Sequence, residues 1–260
     1  MNPRLQALQP YPFEKLRKLF EGVTPNPALA HISLGIGEPR HPTPEFIKRA
    51  LSGSLAKLAS YPPTAGSDAL RQAIAGWLAR RYAIPRIDWR TEVLPVNGSR
   101  EALFAFAQTI VDPAEGDAIV ICPNPFYQIY EGAALLAGAR PHYVNTTADR
   151  NFAPDYAGVP EGVWRRTRLL FVCSPGNPTG KVLDLDAWKS IFALADRHSF
   201  VIASDECYSE IYFDEGAPPL GALEAAARIG RSFERLVVFS SLSKRSNAPG
   251  LRSASWIADS

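Results

Sequence analysis

Five short stretches carry side chains that could do chemistry, and each follows an apolar run. Asn97-Gly98-Ser99-Arg100-Glu101-Ala102 is a small-residue turn that opens a helical pattern. Free N–H groups and the dipole at a helix start suit an anion such as phosphate, although Ser99 could equally be an ordinary N-cap. Pro123-Asn124-Pro125-Phe126-Tyr127 brings an aromatic that could stack on a flat ring or simply fill the core. In Ser174-Pro175-Gly176-Asn177-Pro178-Thr179-Gly180 the prolines and glycines make a rigid turn, with the Asn177 amide aimed at a ligand or merely filling a turn position. Asp205, in Ala203-Ser204-Asp205-Glu206-Cys207-Tyr208, ends an apolar run, where a carboxylate is costly without a cationic partner. That partner could be an arginine or a protonated ring nitrogen. Ser241-Leu242-Ser243-Lys244-Arg245 offers hydroxyls and a lysine for a phosphate, or only a solvated loop lysine.

The elements that must position these groups are legible as well. Short apolar runs predict strands over 92–96, 118–122, 140–144, 168–173, 200–203 and 236–240. Continuous runs such as LLFVC and LVVF suit strands buried on both faces. Helical periodicity places Leu103, Phe106, Ala107 and Ile110 on one face of 100–111, and Trp188, Ile191, Phe192 and Ala195 on one face of 185–198. The alternation predicts an α/β fold with a mostly parallel sheet covered by helices. Ligands of such sheets sit beyond the carboxyl ends of the strands, which is where all five stretches fall. Residues 1–30 read as a Pro-rich N-terminal arm with one short helix over 13–20, and 31–260 as one large domain.

With 260 residues, 46% hydrophobic and 21% charged, the chain has ordinary globular composition. Its 28 basic and 26 acidic residues give +2, without a basic run, so neither nucleic acid nor a membrane surface is an expected partner. Cys122, Cys173 and Cys207 are too widely spaced for a disulfide framework or zinc site and are expected to be buried free thiols. No metal is expected. No stretch has signal-peptide or membrane-span character, so the expected compartment is a reducing cytoplasm.

Taken together, an anion cradle, a stacking aromatic, a carboxylate, a phenol, an amide and a lysine on one sheet edge match the needs of a pyridinium aldehyde phosphate. From 32 to about 253 the chain resembles the class I/II aminotransferases of the pyridoxal-phosphate (PLP) fold-type-I superfamily. The resemblance rests on an ordered set: Gly35-Ile36-Gly37-Glu38-Pro39; Tyr61-Pro62 with Gly66; Asn97 to Leu103; Pro175 to Gly180; Asp205 with Tyr208; and Ser241 to Lys244 followed by Pro249-Gly250-Leu251-Arg252.

The resemblance implies that Lys244 carries the cofactor covalently and is the catalytic base. It implies that Asp205 meets the ring nitrogen, Asn177 and Tyr208 the ring hydroxyl oxygen, and Tyr127 the ring face. Gly98, Ser99, Arg100, Ser241 and Arg252 would surround the phosphate, and Tyr61 would reach the phosphate of a neighbouring subunit, implying a homodimer. Gly37 and Asn177 would approach the substrate, an amino acid or 2-oxo acid. The stretches 123–132 and 240–247 further resemble the N-succinyldiaminopimelate aminotransferases of lysine and diaminopimelate biosynthesis, which use 2-oxoglutarate as partner substrate.

The family pattern continues beyond position 260 into a small domain with an arginine that clamps the substrate carboxylate. The expectation is that both are missing here and that turnover is impaired. The tail from Ser253 to Ser260 replaces the usual Ser-Gly-Phe-Val and is expected to be a frameshift product, which resequencing of the source DNA would test. Two alternatives share the same cofactor residues: another fold-type-I PLP enzyme such as a β-lyase or decarboxylating enzyme, and a non-catalytic PLP-binding fragment.

Overall fold

The computed structural model describes residues 1–84 and 87–258. Its strands are β1 (Val93–Val96), β2 (Ile119–Asn124), β3 (Arg140–Asn145), β4 (Thr167–Cys173), β5 (Val201–Asp205), β6 (Leu236–Ser241) and β7 (Ala254–Ala258). They form one sheet in the order β1-β7-β6-β5-β4-β2-β3. Neighbours from β6 to β3 pair in parallel, whereas β7 is antiparallel to both β1 and β6. The architecture is therefore α/β with a mostly parallel sheet, as the apolar runs imply. The tail expected to be a frameshift product forms β7, with Ala254 and Ile257 buried and Trp256 edge-on to Phe106 and Phe239.

The helices are α1 (Pro12–Leu19), α2 (Glu45–Ser52), α3 (Asp68–Tyr82), α4 (Ser99–Ile110), α5 (Ile129–Ala137), α6 (Glu161–Trp164), α7 (Leu185–His198), α8 (Ala222–Arg228) and α9 (Leu242–Arg245). They cover both faces of the sheet. Alternate strand residues supply two cores, which explains why the strands read as unbroken apolar runs. Leu170, Val172, Ile202 and Val238 pack with α3, α7 and α8. Leu169, Phe171, Ala203 and Phe239 pack with α4 and α5. Full burial of each of the larger of these side chains contributes about 1.5–3 kcal/mol.

Local signals set the helix ends. Asp184 accepts a hydrogen bond from the Ala187 N–H at 2.8 Å, which caps α7, and the expected inward face of Trp188, Ile191, Phe192 and Ala195 is buried. On α4, Leu103, Phe106 and Ala107 are buried while Ile110 is half-buried. Ser99 is not the N-cap. Gly98 holds that position with φ of 107°, a conformation open to glycine, and Ser99 is the first helical residue. No residue before Ala75 is buried, and large apolar side chains from Leu19 to Tyr61 remain on the surface.

Candidate active site

β1, β2, β4, β5 and β6 run in one direction, so their carboxyl ends share one edge of the sheet. A cleft opens there. Its walls include Ser99 and Arg100 from the start of α4, Tyr127 after β2, and Asn177 after β4. Asp205, Cys207 and Tyr208 come from the end of β5, and Ser243, Lys244 and Arg252 follow β6. Gly37 lies on the opposite wall, and the arm closes one side with residues that include Gln9, Tyr11 and Lys15.

Three expected site residues do not line the cleft. Ser241 is buried at the base of the lysine loop, where it accepts from the Ser243 N–H at 3.1 Å and donates to the Ser243 hydroxyl at 2.9 Å. It is thus the N-cap of α9. Gly98 lies behind Ser99, and a Cβ there would strike the Arg252 guanidinium. Tyr61 is fully exposed on the outer surface.

Asp205 is 5% exposed. Its Oδ2 accepts from the Tyr130 hydroxyl at 2.7 Å and its Oδ1 from the Cys207 N–H at 3.3 Å. None of the ion pairs among the described residues involves it. A buried carboxylate without a cation is costly, so a cationic ligand group fits here better than a neutral one.

Across the cleft, the Lys244 ammonium stands 5.9 Å from the centre of the Tyr208 ring. Burial, reinforced by Cys173 and Asp205, pushes the Tyr208 phenol up to about 12, so it stays protonated near neutrality. Its hydroxyl lies 3.5 Å from the Gly37 carbonyl, and a Cβ on Gly37 would come within 2.7 Å of that hydroxyl. Tyr127 accepts from Arg100 Nε at 2.5 Å, and its ring meets Tyr130 edge-on at 6.0 Å. Arg252 donates to Glu101 Oε2 at 2.6 Å, which holds the guanidinium beside the start of α4.

The Ser99 hydroxyl, the Arg100 and Arg252 guanidinia and the start of α4 line the same cleft, an arrangement that could hold an anion. A buried uncompensated carboxylate, an aromatic ring, a phenol, an amide and an amine stand around the same space. This donor set fits an anionic pyridinium aldehyde. Pattern reading missed Tyr130, although its position three residues after Tyr127 on a helix start was a usable signal. It also missed Glu101, Cys207 and the arm residues, which no local pattern marks. Cys122 is buried, but Cys173 and Cys207 are half-buried at the cleft wall, so the expectation of three buried thiols holds only for the first. Burial, then the Asp205 charge, pushes the Cys207 thiol up, and it contacts the Ser99 hydroxyl at 3.2 Å.

Comparison with known proteins gives a consistent result. The family model described as aminotransferase class I and II matches residues 30–260. LL-diaminopimelate aminotransferase of Desulforudis audaxviator is 36% identical over 257 residues, covering 98% of this chain and 63% of the relative. Its counterpart from Aquifex aeolicus is 34% identical over 254 residues, covering 96% and 63%. The crystal structure of an aminotransferase from Neisseria meningitidis is 54% identical with a TM-score of 0.95, covering 100% of this chain and 65% of that one. An aminotransferase from Helicobacter pylori is 41% identical with a TM-score of 0.88, covering 97% and 65%. The chain thus spans about 63% of the length of these curated relatives.

Proposed function

The chain belongs to the class I and II aminotransferases, and from that membership we propose that residues 31–260, with the arm 1–30, form the cofactor-binding part of a PLP-dependent aminotransferase. The observation that carries this reading is the single cleft shared by Lys244, Asp205, Asn177 and Tyr208 at the strand ends.

In this reading the Lys244 amine holds the cofactor covalently, and Asp205 offers its carboxylate to the ring nitrogen. Tyr208 and Asn177 donate toward the ring hydroxyl oxygen, and Tyr127 supports the ring face. Ser99, Arg100 and Arg252 take the phosphate, with Gly98 and Ser241 shaping the backbone around it. When bound, the cofactor supplies an electron sink for a substrate carbanion. The chain's own contribution to the chemistry is then proton movement. Once the substrate amine has taken its place on the cofactor, the freed Lys244 amine would take the proton from the substrate Cα and hand it to the cofactor's former aldehyde carbon. Gly37, lacking a side chain, leaves backbone open to the substrate carboxylate.

The exposed apolar side chains from Leu19 to Tyr61 support a homodimer in which Tyr61 serves the neighbouring site. For the amino donor, the stretches 123–132 and 240–247 favour N-succinyl-LL-diaminopimelate, and the names of the relatives favour free LL-diaminopimelate. Either donor would belong to lysine and diaminopimelate biosynthesis, and the reaction is proposed to run in the cytoplasm. Amino transfer to 2-oxoglutarate should be assayed with each donor. Glutamate formed at least tenfold faster from the succinylated donor supports the first reading; the reverse ratio overturns it. Pyruvate or ammonia release without a 2-oxo acid would instead identify a lyase.

A further inference from the structure

Asp205 is held by a residue that none of the expected roles includes. Tyr130 is fully buried in α5, and its ring lies against Phe171 of β4 at 4.6 Å with an interplanar angle of 11°. The stack leaves the hydroxyl little freedom, and it donates to Asp205 Oδ2 at 2.7 Å. The same ring stands T-shaped to that of Tyr127, with centroids 6.0 Å apart and planes at 83°. One side chain therefore touches both the buried carboxylate and the cleft aromatic.

We infer that Tyr130 is a positioning residue for cofactor binding: its hydroxyl occupies Oδ2 of Asp205, so that Oδ1 is presented to a cationic ring nitrogen. The inference rests on the role proposed for Asp205. Oδ1 takes the long 3.3 Å contact from the Cys207 N–H, with the Cys207 thiol also beside the carboxylate, and a carboxylate oxygen with two lone pairs keeps acceptor capacity toward the cleft that Asp205 lines. A lysine or arginine in the place of Tyr130 would hold the carboxylate equally well but would neutralise it. Burial, then the Asp205 charge, keeps the phenol well above its ordinary value, so it remains a neutral donor. Without the hydroxyl, Oδ2 would lose its 2.7 Å donor, a state that favours rotation of the carboxyl group away from the geometry that presents Oδ1.

The test compares binding of PLP and of its 1-deaza analogue, in which carbon replaces the ring nitrogen. Dissociation constants are measured by absorbance titration of apo protein. Wild type should prefer PLP, and Tyr130→Phe should reduce that preference about tenfold, the scale of a hydrogen bond to a charged group. Binding of the deaza analogue should stay within about twofold. Tyr156→Phe is the control, because the Tyr156 hydroxyl is buried and without a partner, and its removal should leave the preference unchanged. If Tyr130→Phe does not fold, Tyr130→Met also lacks the hydroxyl, fills the gap flexibly and takes its place in the same ratio. A folded variant with the wild-type preference, or with both ligands weakened equally, overturns the inference. If wild type itself shows no preference for PLP, the role of Asp205 fails first and this inference fails with it.

Discussion

Glu206, next to Asp205, should make the stability of this protein fall with rising pH. Its side chain points to the other core and is 1% exposed. It accepts from the Tyr82 hydroxyl at 2.8 Å, the Ser204 hydroxyl at 3.0 Å and the Ala222 N–H at 2.7 Å. Packing there is tight, since a Cβ on Gly221 would sit 2.8 Å from its Oε2. Burial outweighs these donors and raises the carboxyl from its ordinary 4.5 to about 7. A raised carboxyl means that the folded state binds more protons than the unfolded chain between those two values. Stability is therefore greatest at the acid end of the window and is lost as pH rises from about 4.5 to 7. At 1.36 kcal/mol per pH unit, ionisation costs about 3 kcal/mol, of which roughly 2–3 kcal/mol falls between about pH 5 and pH 8.5. Glu206→Gln keeps an acceptor for the Ala222 N–H and cannot ionise. Melting of both proteins at these two pH values isolates the effect, because other groups cancel in the double difference. Wild type should lose roughly 5–10 °C more than Glu206→Gln on going to the alkaline buffer. A difference that is the same at both pH values would refute the reasoning.

Gly98→Ala forces a side chain onto a φ of 107° and into the Arg252 guanidinium. It should cost about 1–3 kcal/mol and weaken phosphate binding to the apo protein; a variant with wild-type melting and affinity would contradict the close approach. PLP should raise the melting temperature, and Asp205→Ala should reduce that gain more than Ser243→Ala; equal gains in both would count against the carboxylate's role. Phe192→Ala, in the core between α7 and the sheet, should destabilise by about 3–5 kcal/mol in chemical denaturation, and a loss under 1 kcal/mol would indicate that the site collapses.

The strand ends were legible in the sequence because buried parallel strands are marked by unbroken apolar runs, and the residues that line the cleft follow them. The face of α7 was legible for the same kind of reason, a clean helical period. By contrast, α3 has arginines interleaved with its apolar residues in RQAIAGWLARRY, which blurs its period. The insertion of β7 between β1 and β6 joins segments more than a hundred residues apart, and no local pattern specifies it. Ser99 resembled a cap because serine commonly is one, but the backbone sign at Gly98 decided otherwise. The contacts of Asp205 with Tyr130 and of Glu101 with Arg252 join residues 75 and 151 positions apart. Such pairings carry no period, so only the folded sheet reveals which donors serve which carboxylates.

If Lys244 carries the cofactor, borohydride reduction should fix it there. The protein is incubated with PLP, reduced, digested and analysed by peptide mass spectrometry. A reduced pyridoxyl adduct is expected on the peptide containing Lys244 and should disappear in Lys244→Ala. An adduct found instead on Lys181 or Lys189, or one that persists in Lys244→Ala, would contradict it.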